Sequence, residues 1–185
     1  MKFEYWHWKN FISLDNRKVI VDYIENNYDF LEDKSLYDSN LKNTNIVKCI
    51  EWQKIKKINV MEDIIDCMFI TNEINFGFNL FPLRNKQIFN LTVYSSDNKS
   101  EYKWHKDATK NEIKDIKLTL LINLSTEKYE GGEFQLNYGE ETTIPQFSEG
   151  GDMILFKSNI LHRVLPVTKG TRKVLAFFFD GPRFI

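Results

Sequence analysis

The stretch QIFNLTVYSS, residues 87–96, decides the fold class because its side chains alternate with a period of two. Apolar residues take one face and mainly polar residues take the other: Phe89, Leu91 and Val93 against Asn90, Thr92 and Tyr94. Alternate side chains of a β-strand point to opposite faces of its sheet. The pattern therefore predicts a β-strand with one apolar face and one mainly polar face.

Further strand-like runs follow to the end of the chain, separated by turn signals. They are IKLTLLINLS (116–125), TTIPQFSEGGDMILFKS (142–158) and NILHRVLPVTKGTRKVLAFFFDG (159–181), and the turn YEGGEFQLNY (129–138) lies between the first two. Gly131-Gly132 and Gly150-Gly151 lie between runs, where glycine pairs favour hairpins and corners. Several short antiparallel strands of this kind predict a barrel or a jelly roll.

The first third of the chain predicts mainly helices. Ser13 can cap a helix in NRKVIVDYIENNY (16–28), and INVMEDIIDCMFITNEINF (58–76) repeats its apolar residues at helical offsets. NIVKCIEWQ (45–53) alternates as a strand would. We expect one domain, with residues 1–86 as a helical and strand support region packed on one sheet. Residues 87–185 then form the jelly-roll core.

Composition excludes several classes of protein. The 185 residues are 42% hydrophobic and 28% charged, which is ordinary for a water-soluble domain that buries its own core. The formal net charge of −1 offers no global positive field for nucleic acid. No run is long and apolar enough to span a membrane. The stretch MKFEYWHWKNF (1–11) has no apolar segment and no small-residue cleavage site, so we expect no leader peptide. Cys49 and Cys67 lack zinc-type spacing and predict buried thiols in a cytoplasmic protein.

The stretch YKWHKDAT, residues 102–109, contains the first candidate metal ligands. On a strand, His105 and Asp107 would present an imidazole and a carboxylate to the same side. These groups are two thirds of the 2-His-1-carboxylate set that holds iron(II) and leaves positions open. A third ligand is needed, and His162 lies in the strand-rich half. His7, between two tryptophans, is predicted to be a half-buried packing residue.

Arg172 follows His162 by ten residues, beyond Pro166 and Gly170. A turn there would return it on the neighbouring strand, beside His162. The residues that continue its face, Val174 and Ala176, are apolar, and an arginine on an apolar face needs an anion. Its planar fork binds a carboxylate through two hydrogen bonds. The alternative is a surface arginine on an edge strand.

Three stretches together resemble a known family. YSSDNKSEYKWHKD (94–107), KLTLLINLSTEKYEGGEF (117–134) and HRVLPVTKGTRKVLAFFF (162–179) are similar to the iron(II) and 2-oxoglutarate dependent dioxygenases of the prolyl 4-hydroxylase-like branch. Small stand-alone bacterial and phage members fit best, and the resemblance runs from about Gln87 to the C-terminus. It implies a double-stranded β-helix, in agreement with the strand pattern.

The resemblance also implies roles for individual residues. His105, Asp107 and His162 would be the metal ligands, and Arg172 would bind the distal carboxylate of 2-oxoglutarate. Further contacts are implied for a set of inward-facing residues: Tyr94, Thr119, Leu121 and Asn123 at the co-substrate and Tyr102 at the pocket mouth. Ordinary inward packing is the alternative for these five. Val174 stands where the family often has a smaller residue.

The implied activity is hydroxylation of an unactivated C–H bond, most readily of a prolyl or other residue in a polypeptide. The implied cofactors are Fe(II), 2-oxoglutarate and O2, with ascorbate as a candidate reductant and with succinate and CO2 as co-products. Free amino acids, small metabolites and modified nucleobases are alternative substrates. A jelly-roll ligand-binding module and a non-catalytic scaffold are the alternatives that involve no catalysis.

Overall fold

A computed structural model describes residues 3–28, 42–43, 46–108 and 114–183 of the chain. Three α-helices occur in these ranges: α1 (Leu14–Asn27), α2 (Trp52–Ile55) and α3 (Asn59–Thr71), which a π-helical turn (Asn72–Phe76) extends. Short 3-10 turns cover Ser96–Asn98 and Pro145–Phe147. The remaining elements are strands.

Two antiparallel sheets form a jelly roll, as the alternation predicts. The larger sheet has, in spatial order, β1 (Tyr5–Trp8), β10 (Met153–Lys157), β6 (Lys114–Asn123), β13 (Thr171–Pro182), β4 (Ile88–Ser95) and β3 (Ile46–Glu51). The smaller has β2 (Lys42–Asn43), β5 (Glu101–His105), β11 (Leu161–Val164), β8 (Phe134–Asn137) and β9 (Glu141–Thr143). Two short strands, β7 (Glu130–Gly131) and β12 (Val167–Lys169), pair separately.

The helices cover the outer face of the larger sheet, as the sequence predicts. Ile20 and Ile24 of α1 and Ile64 and Met68 of α3 belong to one buried cluster with the sheet residues Phe89, Leu91, Leu118, Leu120, Ile122, Leu175, Phe177 and Phe179. Burying each such side chain contributes about 1.5–3 kcal/mol. Helix α1 begins where Ser13 accepts a hydrogen bond from the Asn16 backbone N–H, which confirms the predicted cap.

The inner faces of the two sheets enclose a second cluster. Tyr94, Leu121, Ile154, Phe156 and Val174 of the larger sheet meet Phe134, Leu136 and Val164 of the smaller one. Strand β6 shows the division directly, because Leu118, Leu120 and Ile122 pack under the helices while Leu121 faces inward. The cavity of the protein lies between these inner faces.

The start of the chain departs from the prediction. Residues Tyr5–Trp8 form β1, an edge strand paired with β10, where the sequence analysis predicted no strand. Four consecutive aromatic residues show no alternation, so the strand left no periodic signal. The short strand is held by Asp152, whose carboxylate accepts hydrogen bonds from Lys9 at 2.7 Å and from the Asn10 backbone N–H at 3.1 Å. His7 is half-buried, as predicted.

Strands β1, β2 and β3 also mean that residues 1–86 supply edges to both sheets rather than only covering them. Cys49 and Cys67 form no disulfide with each other, and both are half-buried rather than buried as predicted. Among the described residues, no helix has the length and the apolar composition needed to cross a bilayer.

Candidate metal and co-substrate site

Two adjacent strands of the smaller sheet bring His105 and His162 together. His105 ends β5, and His162 lies directly opposite it on β11. The sequence predicted Asp107 on the same strand as His105, but it lies two residues beyond the end of β5. There its backbone N–H donates to the Ser158 carbonyl at 3.1 Å, and the chain turns the carboxylate back toward both imidazoles.

The three side chains converge on a single point. One donor atom from each of His105, Asp107 and His162 lies within 4.8 Å of the others. Nε2 of His162 is 3.3 Å from Asp107 Oδ2, and Nε2 of His105 is 3.6 Å from Asp107 Oδ1. Two imidazole nitrogens and a carboxylate oxygen are donors that first-row divalent metals accept readily.

The backbone fixes the orientation of both imidazoles. Nδ1 of His105 lies 2.7 Å from the Lys103 carbonyl, and Nδ1 of His162 lies 3.0 Å from the Ile160 carbonyl. A carbonyl oxygen only accepts hydrogen bonds, so each Nδ1 carries a hydrogen. The lone pair of each neutral ring is therefore on Nε2, the nitrogen that faces Asp107. This is the tautomer that a metal ligand requires.

Charge within the buried cluster shifts two pKa values. Burial acts to raise the pKa of Asp107, but the charge and hydrogen bond of His162, the charge of His105 and the hydrogen bond of Thr119 outweigh it and lower that pKa. Burial acts to lower the pKa of His162, but the Asp107 carboxylate and the Ile160 carbonyl raise it overall. The surroundings of Asp107 thus stabilise its ionised carboxylate, and this carboxylate favours a positive charge beside it.

Arg172 lies across the cavity from the histidines. It is on β13 of the larger sheet, opposite Tyr94 of β4, and not on a strand neighbouring His162 as predicted. The segment between His162 and Arg172, which includes β12, leads from the smaller sheet to the larger one. Consequently Arg172 and His162 face each other from different sheets and line the same cavity.

The guanidinium of Arg172 is fully buried, with no exposed surface. Its three nitrogens, Nε, Nη1 and Nη2, have no hydrogen-bond partner among the described residues. Its Cζ lies 5.5 Å from the Tyr94 ring centre and 5.3 Å from that of Phe147, so aromatic faces support the cation without pairing it. A buried charge in this state is strongly destabilising unless an anion binds to it.

The cavity wall contains most of the predicted residues. Tyr94, Tyr102 and Leu121 line it together with His105, Asp107, His162 and Arg172, and the other lining residues are Asn90, Thr92, Phe134, Val164, Val174, Ala176 and Phe178. The ring of Tyr102 stacks on His105 with centres 3.4 Å apart. Burial raises the pKa of Tyr94 to about 12, so its phenol remains a hydrogen-bond donor.

Two predicted contacts have other partners in the structure. Thr119 donates its hydroxyl hydrogen to Asp107 Oδ2 at 2.8 Å and is not among the residues that line the cavity. The amide nitrogen of Asn123 donates to the Tyr129 hydroxyl at 2.8 Å, and its oxygen accepts from the Ser125 backbone N–H at 3.1 Å. Thr119 therefore supports the metal-site carboxylate, and the amide of Asn123 ties β6 to the following loop.

Sequence reasoning missed several residues that shape the site. Ser158 holds the Asp107 backbone, and Gly132 lies against Arg172, where an added Cβ would be 3.0 Å from the Arg172 Cδ. Phe147 supplies a ring beside the guanidinium. Alternation along β4 already placed Asn90 and Thr92 on the face of Tyr94, but nothing local in the sequence reveals Ser158 or Phe147.

Comparison with known proteins agrees with this geometry. Residues 89–180 match the model of the 2OG-Fe(II) oxygenase superfamily. A PKHD-type hydroxylase of Xylella fastidiosa is 44% identical over 68 residues, which are 35% of this chain and 27% of the relative. The matched segment thus spans about a quarter of that relative's length.

Solved structures show the same fold at low sequence identity. A Pseudomonas putida prolyl-4-hydroxylase has a TM-score of 0.72 at 13% identity, covering 97% of this chain and 94% of its own. A prolyl hydroxylase of Trichoplax adhaerens, in complex with a fragment of hypoxia inducible factor, has a TM-score of 0.70 at 14% identity, covering 95% and 83%. Fold, donor set and family model agree, and the chain belongs to the 2OG-Fe(II) oxygenase superfamily.

Proposed function

We propose that this protein is an Fe(II)- and 2-oxoglutarate-dependent dioxygenase that hydroxylates an unactivated C–H bond, with succinate and CO2 as co-products. The observation that carries the proposal is the pairing of two incomplete sites in one cavity. A His-Asp-His donor set faces a buried guanidinium that finds no hydrogen-bond partner in the part of the chain that the structure describes. A ligand that binds a metal at one end and carries a carboxylate at the other would complete both.

The donor set fits iron(II). His105 and His162 present Nε2 lone pairs, Asp107 is ionised because its pKa is lowered, and three protein donors leave coordination positions for other ligands. Bound iron supplies the activation of O2 and the oxidative decarboxylation of 2-oxoglutarate that C–H hydroxylation requires. The protein supplies the position of the reactants, the charge around them and the exclusion of water.

Arg172 fits the distal carboxylate of 2-oxoglutarate. A guanidinium fork forms two parallel hydrogen bonds with a carboxylate, and both are stronger where water is excluded. The Tyr94 phenol, protonated at neutral pH, is a neutral donor on the same face. Leu121, Val174 and Phe178 provide apolar walls between this end and the metal ligands, which would protect a reactive centre from water.

We further propose a polypeptide substrate, hydroxylated at a prolyl or another residue. The support is the PKHD-type hydroxylase relative and the prolyl hydroxylases among the structures of the same fold. A free amino acid, a small metabolite or a modified nucleobase would use the same residues. A jelly-roll binding module would account for the sheets but not for Arg172 opposite a His-Asp-His set.

Binding of 2-oxoglutarate to Co(II)-loaded protein tests the proposal without turnover. We expect saturable binding by calorimetry and a change in the Co(II) absorption spectrum. Arg172→Ala should weaken binding at least about 30-fold, because losing one partner of a buried charge pair costs about 2 kcal/mol or more.

Arg163→Ala is the matched control. Arg163 lies on the outside of the smaller sheet, with its Cζ 4.5 Å from the centre of the Trp104 ring. Its removal should leave 2-oxoglutarate affinity unchanged. Equal affinity in the wild type and Arg172→Ala would reject the co-substrate assignment, and the absence of Co(II) binding would reject the metal assignment.

A further inference from the structure

Asp107 is attached to the rest of the site at both its backbone and its carboxylate. Its backbone N–H donates to the Ser158 carbonyl at 3.1 Å, and the N–H of Ala108 donates to the same carbonyl at 3.0 Å. Its Oδ2 accepts from the Thr119 hydroxyl at 2.8 Å. That hydroxyl lies 2.9 Å from the Ser158 hydroxyl. Ser158 therefore contacts the aspartate loop directly and the aspartate carboxylate through Thr119.

The direction of these hydrogen bonds follows from the charge of Asp107. An ionised carboxylate only accepts, so Thr119 must use its single hydrogen toward Oδ2. The contact between the two hydroxyls can then form only if Ser158 donates to Thr119. The result is a chain from Ser158 through Thr119 to Asp107, in which each bond polarises the next. Thr119 and Ser158 have no exposed surface, so water does not replace these bonds.

Ser158 also belongs to the segment that orients His162. It lies between β10, which ends at Lys157, and β11, which carries His162. Ser158 itself is fixed by its N–H, which donates to the Lys117 carbonyl at 3.0 Å. Two residues later, the Ile160 carbonyl accepts from Nδ1 of His162. One three-residue connection therefore places two of the three donor groups.

We infer that Thr119 and Ser158 are positioning residues that hold the Asp107 carboxylate in its metal-binding orientation and thereby set the metal affinity of the site. The inference rests on the proposed function, since it assumes that the three residues bind a metal. Outer partners of metal ligands fix ligand orientation, and their loss weakens metal binding by about 10–100-fold. Both residues act through Asp107, and neither contacts the metal or the co-substrate.

The test is Co(II) titration of the full chain, followed by absorption and calorimetry. Thr119→Val keeps the shape of the side chain and removes the hydroxyl, and we expect Co(II) affinity to fall by about 10-fold or more with an altered absorption spectrum. Thr119→Ser keeps the hydroxyl and should restore both the affinity and the spectrum. Ser158→Ala should weaken binding several-fold, because it removes only the outer bond of the chain.

Ser125→Ala is the matched control, because the buried Ser125 hydroxyl accepts from the Lys173 backbone N–H and not from the metal site. It should bind Co(II) as the wild type does. Unchanged affinity in both Thr119→Val and Ser158→Ala would overturn the inference while leaving the metal site intact. Equal losses in Thr119→Val and Thr119→Ser would also overturn it, because packing and not the hydroxyl would then be responsible. Wild-type protein that binds no Co(II) would overturn the proposed function as well.

Discussion

Arg172 lies directly opposite Tyr94 in the pairing of β13 with β4, and its Cζ is 5.5 Å from the centre of the tyrosine ring. The ring of Phe147 approaches the same carbon at 5.3 Å. The guanidinium is thus positioned by packing and backbone pairing, while none of the described residues accepts a hydrogen bond from it. A cation placed in advance of its anion loses little side-chain entropy on binding, which favours affinity.

Gly132 is predicted to be necessary for the position of the Arg172 side chain. Its φ is +67°, and a Cβ there would lie 3.0 Å from both the Arg172 Cδ and the Val167 Cγ2. Gly132→Ala should displace the arginine and weaken 2-oxoglutarate binding by about 10-fold, since a shift of roughly 1 Å in a positioned group is costly. Calorimetry on Co(II)-loaded protein measures this.

Gly77→Ala separates backbone strain from contact with Arg172. Gly77 has nearly the same φ, +70°, but no atom lies within 4 Å of an added Cβ. Both substitutions should lower stability by about 1 kcal/mol because of the left-handed backbone. Only Gly132→Ala should alter 2-oxoglutarate affinity, and a similar change in Gly77→Ala would contradict the explanation.

Asp107→Asn is expected to remove most metal binding while preserving the fold. The substitution keeps the shape of the side chain but removes the negative charge that both imidazoles face. Loss of a direct ligand should exceed the effect of losing an outer partner, so Co(II) affinity should fall by more than about 100-fold. Circular dichroism should be unchanged. Wild-type affinity in this variant would exclude Asp107 as a ligand.

The pKa of His162 predicts a pH dependence of metal binding. The pKa is raised above its usual 6.5 because Asp107 stabilises the imidazolium more than burial destabilises it. A metal must displace that proton, so Co(II) affinity should decrease as pH falls through the raised pKa. In metal-free protein the shift contributes stability that is fully present below pH 6.5 and is lost as pH rises through the raised pKa.

The pKa shift of Asp107 makes stability depend on pH in the opposite direction. Its lowered pKa contributes stability that is present above its usual value of 3.8 and is lost as pH falls through the lowered value. Because Asp107 stays ionised at neutral pH, the raised pKa of His162 alone predicts that the increase in Tm caused by Co(II) grows between about pH 6 and about pH 8, across the range of histidine titration. Thermal unfolding with and without Co(II) measures it, and an increase that shrank with pH would contradict the assignment of His162.

Asp152 is predicted to be the main anchor of the N-terminal strand. Its buried carboxylate accepts from Lys9, from the Asn10 N–H and from the backbone N–H groups of Ser148 and Glu149 at 3.2 and 2.8 Å. Asp152→Ala should lower the free energy of unfolding by about 3 kcal/mol, because it removes a buried, charged acceptor on which four hydrogen bonds converge. Urea unfolding measures this.

Lys9→Ala provides the comparison for Asp152. The Lys9 side chain is 41% exposed, and water can replace it. Its removal should therefore lower the free energy of unfolding by less than about 1 kcal/mol. Equal effects of the two substitutions would indicate that the ion pair, rather than the backbone hydrogen bonds, holds the strand.

Local patterns predicted those features that depend on neighbouring residues. Alternation in 87–96 placed Asn90, Thr92 and Tyr94 on one face, and that face lines the cavity. The spacing of His105 and Asp107 predicted that their donor groups meet, and they do, although the turn after β5 and not the strand itself brings Asp107 there. The apolar face around Arg172 predicted that it needs an anion, and the resemblance to a known family implied that this anion is 2-oxoglutarate. These features could be predicted because each depends on residues close together in the sequence or on a motif shared with the family.

Features that depend on sheet pairing were not predictable in the same way. Arg172 was expected on a strand neighbouring His162, but β12 carries the chain to the other sheet first. Thr119 was expected to contact the co-substrate, but its hydroxyl donates to the Asp107 carboxylate. Asp107 lies close to Thr119 because its backbone N–H is bound to the Ser158 carbonyl. Contacts between residues dozens of positions apart are set by the closed fold and have no local signature.

Succinate formation from 2-oxoglutarate under air tests the central claim most directly. Purified protein would be assayed with and without Fe(II), beside Arg172→Ala and the control Arg163→Ala. We predict iron-dependent succinate from the wild type and from Arg163→Ala, and at least about 30-fold less from Arg172→Ala at a 2-oxoglutarate concentration well below saturation. Succinate that formed equally without iron, or equally in Arg172→Ala, would contradict the assignment of this cavity to iron and 2-oxoglutarate.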